Sequence, residues 1–437
     1  MSSKVVTRFA PSPTGLLHLG TYRTAIFSYL YAKKNNGTFV LRIEDTDKER
    51  SKKEYEENII ESLKWLGLDY DQFYRQSDNL DRHKFYLEKM IKEGKAYISK
   101  EEAKDGTGEI KELVRFKNPN IDITFHDEIK GEVKMNTTDL NDFVIARNLN
   151  EPLFHLAVVI DDFEEGITHV IRGEDHVSNT PRQILIQRAI GAPTPIYAHL
   201  PLVLGADKLK LSKRRGALPI TSYKDMGFLP EAILNGVAFV GWNPGTDKEI
   251  FTHDELVKDF DLSKVQKSPA VFNEEKLNWF NKEHMKLLST EEVNKNILEN
   301  LPENMRNVKL VPIIFERITK WGDIKNMVSV GELDFFFKQP EYDKSKLIYK
   351  NVQSSTLNIS ENINKAISVL EELNENNFTK ENVKEVLMKI ADSLESRGEL
   401  LHPVRFALSG LDKSPDPFVI AEVLGKNETL ARLQKAI

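Results

Sequence analysis

The chain has 437 residues, 29% of them charged and 40% hydrophobic, with a formal net charge of −6 and no cysteine. That length suggests two to four domains, the composition is that of a globular protein, and the lack of cysteine excludes disulfides and thiolate metal sites. No apolar run approaches the roughly 18 residues that span a bilayer, MSSKVVTRF carries no leader-like apolar stretch, and the acidic balance argues against a surface that binds nucleic acid everywhere, so a cytoplasmic protein without a membrane partner is expected.

Residues 4–9, KVVTRF, read as a short strand. After the stiff stretch APSPTGLLHLG, the apolar positions Tyr22, Ala25, Ile26, Tyr29 and Leu30 follow helical spacing. Gly37 is placed to close that helix in a left-handed turn, and TFVLRI, 38–43, reads as a buried strand. Strand, turn, helix and strand make a βαβ unit, which implies a parallel sheet.

Residues 51–66 predict a helix with Tyr55, Ile59, Leu63 and Leu66 on one face, and 80–93 predict another that stops at Gly94. Residues 96–155 differ, with short runs such as DITFHDEIKGEVKM that suggest strands, and read as an insertion. The βα rhythm resumes with THVIRG, 168–173, and a helix with Thr180 as N-cap, Pro181 at the first helical position and Gly191 as stop. From about residue 225 the chain is mostly helical, as the apolar spacing of VKEVLMKIADSL illustrates. The class is therefore α/β with a parallel sheet and an insertion, followed by an all-α region.

Two stretches carry chemistry. In TRFAPSPTGLLHLGT, Pro11 and Pro13 stiffen a strand-to-helix turn, while Gly15 and Gly20 let a ligand approach the backbone. A helix N-terminus at such a turn favours phosphate, and His18 could donate to a phosphate oxygen. The plainer reading is a proline-rich βα turn with a surface histidine. In DKLKLSKRRG, 207–216, Lys208, Lys210, Lys213, Arg214 and Arg215 crowd one loop. Such runs are usually solvated loops, but mobile lysines also suit a triphosphate whose charge shifts during reaction.

His18-Leu19-Gly20-Thr21 with Lys210-Leu211-Ser212-Lys213-Arg214 resembles the paired signatures of class I aminoacyl-tRNA synthetases. RFAPSPTG from Arg8, RIEDTD from Arg42, VIRGEDH from Val170, LHPVRFALSG and PDPFVIAEVLGKNETLARL narrow the resemblance to the glutamyl-tRNA synthetase family, bacterial type. The motifs span nearly the whole chain in the family's order.

The resemblance implies a Rossmann-like parallel-sheet catalytic domain at 1–95 and 156–195, interrupted by an acceptor-end-binding domain at 96–155. It implies a stem-contact domain with the KLSKR loop at 196–295 and a helical anticodon-binding region at 296–437. It further implies ATP-dependent joining of L-glutamate to tRNA(Glu) through glutamyl-adenylate. His18 and Lys213 would act on the transferring phosphate with Lys210 in support, and Thr14, Gly20, His18 and Lys213 would hold ATP. Arg8 and Arg172 would hold the substrate's side-chain carboxylate, Glu44 its ammonium group, and Ser12 would lie near its α-carboxylate. For Arg8 and Glu44 a buried structural ion pair is the other reading.

Phe154 and Val158 stand where some relatives carry tyrosine and asparagine, so two substrate hydrogen bonds are missing or taken by water. Mg2+ is expected on the triphosphate, keeping several waters and few protein ligands, none of which is named. No zinc is expected, because AYISKEEAKDGTGEIKELVRF lacks the cysteines of the family's zinc knuckle. Arg317 falls where some members select the glutamate anticodon, or is a solvated helix arginine. A monomer is expected. The alternatives are an enzyme that also charges tRNA(Gln), or an inactive tRNA-binding relative.

Overall fold

The computed structural model describes residues 4–102, 110–211, 217–349 and 356–437. The chain divides into two compact units, 1–286 and 287–437.

The first unit begins with the expected βαβ unit: β1 (Val6–Phe9), α1 (Leu19–Lys34) and β2 (Thr38–Ile43), with β1 and β2 parallel in the register Thr7↔Phe39. Tyr22, Ala25, Ile26, Tyr29 and Leu30 are buried, so α1 packs with the stripe its sequence shows. One detail differs. The left-handed residue after α1 is Asn36 (φ 49°), not Gly37. Gly37 is required for space instead, since a Cβ there would stand 2.4 Å from the Val5 carbonyl oxygen.

α2 (Lys53–Trp65), β3 (Gln72–Arg75) and α3 (Leu80–Lys92) follow, with Gly94 left-handed at φ 69° as its position suggested. The described residues of 96–155 form six strands: β4 (Ala96–Glu102), β5 (Ile110–Phe116), β6 (Asp122–Asp127), β7 (Gly131–Asn136), β8 (Phe143–Asn148) and β9 (Glu151–Pro152). Then come α4 (Phe154–Glu164), β10 (His169–Gly173), α5 (Thr180–Ile190) and β11 (Ile196–Leu200).

The main sheet has the order β3-β2-β1-β10-β11-β6-β7. All neighbours are parallel except the β6–β7 hairpin. The remaining four strands form a separate antiparallel sheet, β4-β5-β8-β9. One hairpin of the inserted stretch therefore extends the main sheet and pairs Asp127 with Tyr197 of β11. β6 alternates exposed and buried along its length, the period of a strand with one buried face.

β1 has β2 on one side and β10 on the other, so the chain reverses its direction of strand addition there. In open parallel sheets, ligands bind in the crevice at the carboxyl ends of strands flanking such a switch point. After β11, a short parallel pair, β12 (Val203–Leu204) and β13 (Ala270–Val271), accompanies helices α6 (Ile220–Asp225), α7 (Pro230–Ala238), α8 (His253–Asp259) and α9 (Glu274–Met285). Phe27 of α1, Trp242 and Phe260 share one buried core, which ties these helices to the sheet.

The second unit contains, among the described residues, helices α10 (Thr290–Asn300), α11 (Val311–Arg317), α12 (Asp323–Ser329), α13 (Thr356–Glu371), α14 (Lys380–Ala391), α15 (Gly398–Ser409) and α16 (Pro417–Ala436), with short 3-10 turns. α10 starts with a capping box between Ser289 and Glu292, and α16 is broken at Gly425, whose φ is 78°. No helix of the described residues is long and apolar enough to cross a membrane.

Candidate active site

A cavity of about 360 Å³ opens at the switch point. Its walls come from the ends of β1, β2, β10 and β11 and the first turns of α1 and α4. Arg8, Ser12, His18, Gly20, Glu44, Phe154, Val158, Arg172 and Lys210 all line it. These residues are scattered along the chain, and the parallel topology brings them together.

One side of the cavity is a buried ionic network. Arg8 is 4% exposed, and its Nε donates to Asp162 Oδ1 at 3.1 Å. Arg42, fully buried on β2, pairs with the same oxygen at 2.8 Å, with Glu44 at 3.2 Å and with Glu165 at 2.8 Å. Asp162 lies on α4, and Phe154, Val158 and Asp162, four residues apart in turn, share one face of that helix. The first two line the cavity, and the third anchors the arginines beneath it.

Burial pushes the Asp162 carboxyl up, but Arg8 and Arg42 prevail and hold it below the usual range. Burial raises Glu44 against the pull of Arg42 and Arg8, and raises Glu165 to about 7 against Arg42. The Arg8–Glu44 ion pair considered from the sequence is thus replaced by Arg8–Asp162 and Arg42–Glu44.

Arg172 enters from β10. Its Nε donates to His199 Nε2 at 3.1 Å and its Nη2 to the Thr180 hydroxyl at 2.9 Å, with the guanidinium 5.4 Å from the Tyr197 ring centre. Burial lowers Arg172 to about 10, which still leaves it charged at neutral pH. Thr180 does not cap α5. Asn179 holds that position, and the Thr180 hydroxyl donates to the His176 carbonyl while accepting from Arg172. His176 is pushed down to about 4, by burial first and then by Arg172, so it is neutral at pH 7.

The other side of the cavity is formed by the turn into α1. His18 occupies the N-cap position with extended backbone. A Cβ on residue 20 would lie 3.1 Å from the His18 ring, so glycine there leaves room for the imidazole over the helix start. Lys210 Nζ pairs with Asp175 at 3.0 Å in an exposed contact. Lys213 lies outside the described residues. Thr14 is exposed and does not line the cavity; its amide donates to the Ser12 carbonyl and shapes the turn. Arg317 belongs to the second unit, where it pairs with Glu332 at 2.6 Å. Among the described residues no cluster of three or more acidic or histidine side chains is arranged to hold a metal.

A second cavity of about 560 Å³ shares Ser12, Glu44 and Phe154 with the first and extends along Thr46, Arg50 and Gln76 to Arg147 and Asn150 beside the four-stranded sheet.

Asp162, Arg42, Glu165, Asp127, His199 and Thr180 were not singled out as site residues from the sequence. For Asp162 a signal existed: two adjacent aspartates follow an apolar run in one helix, HLAVVIDD, and both are buried. Carboxylates in such a position need partners. Asp161 finds Gln76, Asn79 and His83, and Asp162 finds the arginines.

Comparison with known proteins agrees with this fold. Residues 4–109 and 98–279 match the family of class I tRNA synthetases (E and Q), catalytic domain, and residues 269–437 match an anticodon binding domain. The fold is that of a class I tRNA synthetase. A glutamate–tRNA ligase of Aquifex aeolicus is 52% identical over 313 residues, covering 64% of this chain and 66% of that protein. Glutamate–tRNA ligase 1 of Petrotoga mobilis is 39% identical over 98% of this chain and 97% of its own length. A crystal structure of a glutamate tRNA ligase from Elizabethkingia meningosepticum, in complex with its amino acid, superposes with a TM-score of 0.87 at 33% identity, covering 99% of both chains. The chain belongs to the glutamate–tRNA ligases.

Proposed function

We propose that the switch-point cavity carries the ATP-dependent joining of L-glutamate to tRNA(Glu) through glutamyl-adenylate, with release of pyrophosphate and AMP. The observation that carries this reading is the convergence of Arg8, Glu44 and Arg172 with His18, Gly20 and Lys210 on one cavity.

Arg8 and Arg172 bind the substrate's side-chain carboxylate. Two guanidinium groups held by buried partners present fixed, charge-assisted donors. Glu44 takes the ammonium group and Ser12 lies beside the α-carboxylate. Phe154 and Val158 offer no polar atom to glutamate from α4, so that side of the pocket is apolar or hydrated.

An α-carboxylate oxygen attacks the α-phosphorus of ATP, and the bond to pyrophosphate breaks. A carboxylate needs no base to act as a nucleophile at neutral pH. Rate then depends on positioning and on stabilising charge at the phosphorus, roles for His18, the start of α1 and Lys213, with Lys210 in support. The 2′-hydroxyl of the terminal tRNA ribose next attacks the activated carbonyl, and AMP leaves.

The His18, Gly20 and Lys210 side suits an anionic triphosphate. Magnesium binds with the triphosphate and keeps most of its waters, so no protein ligand is assigned. Zinc is not expected, given that a cysteine-built knuckle has no cysteine to use.

The second cavity, lined by Arg50 and Arg147 and sharing Ser12, Glu44 and Phe154 with the first, fits the acceptor end of the tRNA. The 196–295 segment contacts the stem and the helical region from 296 onward reads the anticodon, with Arg317 favouring the glutamate one. The protein acts as a cytoplasmic monomer.

The test is charging of purified tRNA(Glu) and tRNA(Gln) with labelled glutamate, side by side. Charging of tRNA(Glu) alone supports the reading in full. Charging of both removes selectivity from the helical region. Charging of neither, with active controls, overturns the catalytic reading.

A further inference from the structure

The partners of Arg172 form a buried chain that the reaction scheme above does not use. His199, on β11, is fully buried, and so is Asp127 at the end of β6. His199 Nδ1 lies 2.6 Å from Asp127 Oδ2, and His199 Nε2 lies 3.1 Å from Arg172 Nε. An arginine Nε–H only donates, so His199 Nε2 is the acceptor. The ring proton then sits on Nδ1 and donates to Asp127.

Asp127 is itself fixed. Its Oδ1 accepts the backbone amides of Ile129 (3.0 Å) and Lys130 (2.8 Å), and its Oδ2 accepts the amide of His199 (3.1 Å). The Thr180 hydroxyl holds Nη2 of the same guanidinium. Among the described residues Nη1 has no hydrogen-bond partner, and Arg172 lines the cavity. Burial holds His199 low, in keeping with a neutral ring, and His199 with the backbone amides holds Asp127 below its usual range against burial.

We propose that Asp127 and His199 are positioning residues: Asp127 fixes the tautomer of His199, and His199 fixes the plane of the Arg172 guanidinium so that Nη1 meets the side-chain carboxylate of glutamate. This rests on the reading that Arg172 binds glutamate. It also assigns a role to the β6–β7 hairpin, whose pairing with β11 delivers Asp127 to the network. An Asn at position 127 would offer an amide donor where His199 needs an acceptor. The opposite tautomer would then point an N–H at the Arg172 donor.

The test is steady-state charging of tRNA(Glu) by the full chain, with KM measured for glutamate and for ATP. Asp127→Asn and His199→Ala should raise the glutamate KM roughly tenfold or more, as expected for loss of one charge-assisted hydrogen bond, with the ATP KM within about twofold. His199→Gln, which keeps an acceptor near the Nε2 position, should stay within about threefold of the wild type.

An unchanged glutamate KM in folded Asp127→Asn and His199→Ala overturns the proposal. So does a parallel rise of both KM values, which marks a merely structural pair. If those variants do not fold, His199→Gln and His199→Asn decide: a glutamate KM no lower in the Gln variant than in the Asn variant overturns the role. Arg172→Lys separates the two readings. Should it leave the glutamate KM unchanged, the assignment of Arg172 fails and the positioning role falls with it. If it raises that KM while Asp127→Asn does not, only the positioning role fails.

Discussion

Arg8 Nε lies 3.1 Å from Asp162 Oδ1, and the same oxygen holds Arg42 at 2.8 Å. A single carboxylate oxygen, carried by a helix, thus sets the arginines of two adjacent strands. Removing one member of a buried pair leaves the others uncompensated. Asp162→Asn is therefore expected to lower kcat/KM for glutamate at least ~10-fold and to destabilise the fold by about 3 kcal/mol or more. Charging kinetics and urea unfolding check both parts.

The same carboxylate predicts an acid response. Its folded-state pKa lies below the ordinary value of 3.8. The sign follows from proton binding: the unfolded chain takes up the proton more readily, so the contribution is present above that value and lost as pH falls through the folded one. The Tm of the wild type should drop below pH 4 more steeply than that of Asp162→Asn, as measured by differential scanning calorimetry across a pH series.

His18→Ala should reduce the rate of adenylate formation by roughly 10²–10³-fold, the usual effect of losing one donor to a developing oxyanion. The glutamate KM should hold within about twofold, since the role proposed for His18 is at the phosphate and not at the amino acid. Loss of glutamate affinity with a preserved rate would reassign the residue.

Phe154→Tyr adds a hydroxyl to a half-exposed ring that lines the cavity. The expected result is a few-fold lower glutamate KM, in line with one added hydrogen bond. No change would place the ring edge out of reach of the substrate.

Arg317→Ala removes an exposed pair with Glu332, so stability should shift by less than about 0.5 kcal/mol. The ratio of tRNA(Glu) to tRNA(Gln) charging should fall. An unaltered ratio would leave Arg317 as a solvated helix arginine.

Much of the site could be read in the sequence because its residues sit in local patterns. A strand, a stiff turn and an amphipathic helix announced the position of Arg8, His18 and Gly20. The supporting residues could not be read the same way. Asp127 meets His199 only because a hairpin from the inserted stretch joins the main sheet, a pairing across some 70 residues that local periodicity does not encode. Thr180 shows the same limit. Its place before a proline suggested a cap, but its hydroxyl serves Arg172, a choice set by the strand it packs against. Gly37 carried a real signal for the wrong reason: close approach to Val5 requires it, not a left-handed turn.

The measurement to make first is the glutamate KM of Arg8→Lys and Arg172→Lys in tRNA(Glu) charging, beside the ATP KM. Lysine keeps the charge but not the planar fork. A rise of roughly tenfold or more in the glutamate KM of each, with the ATP KM unmoved, is predicted for two guanidinium groups that grip the substrate side chain. A glutamate KM equal to that of the wild type in both would contradict this assignment of the cavity.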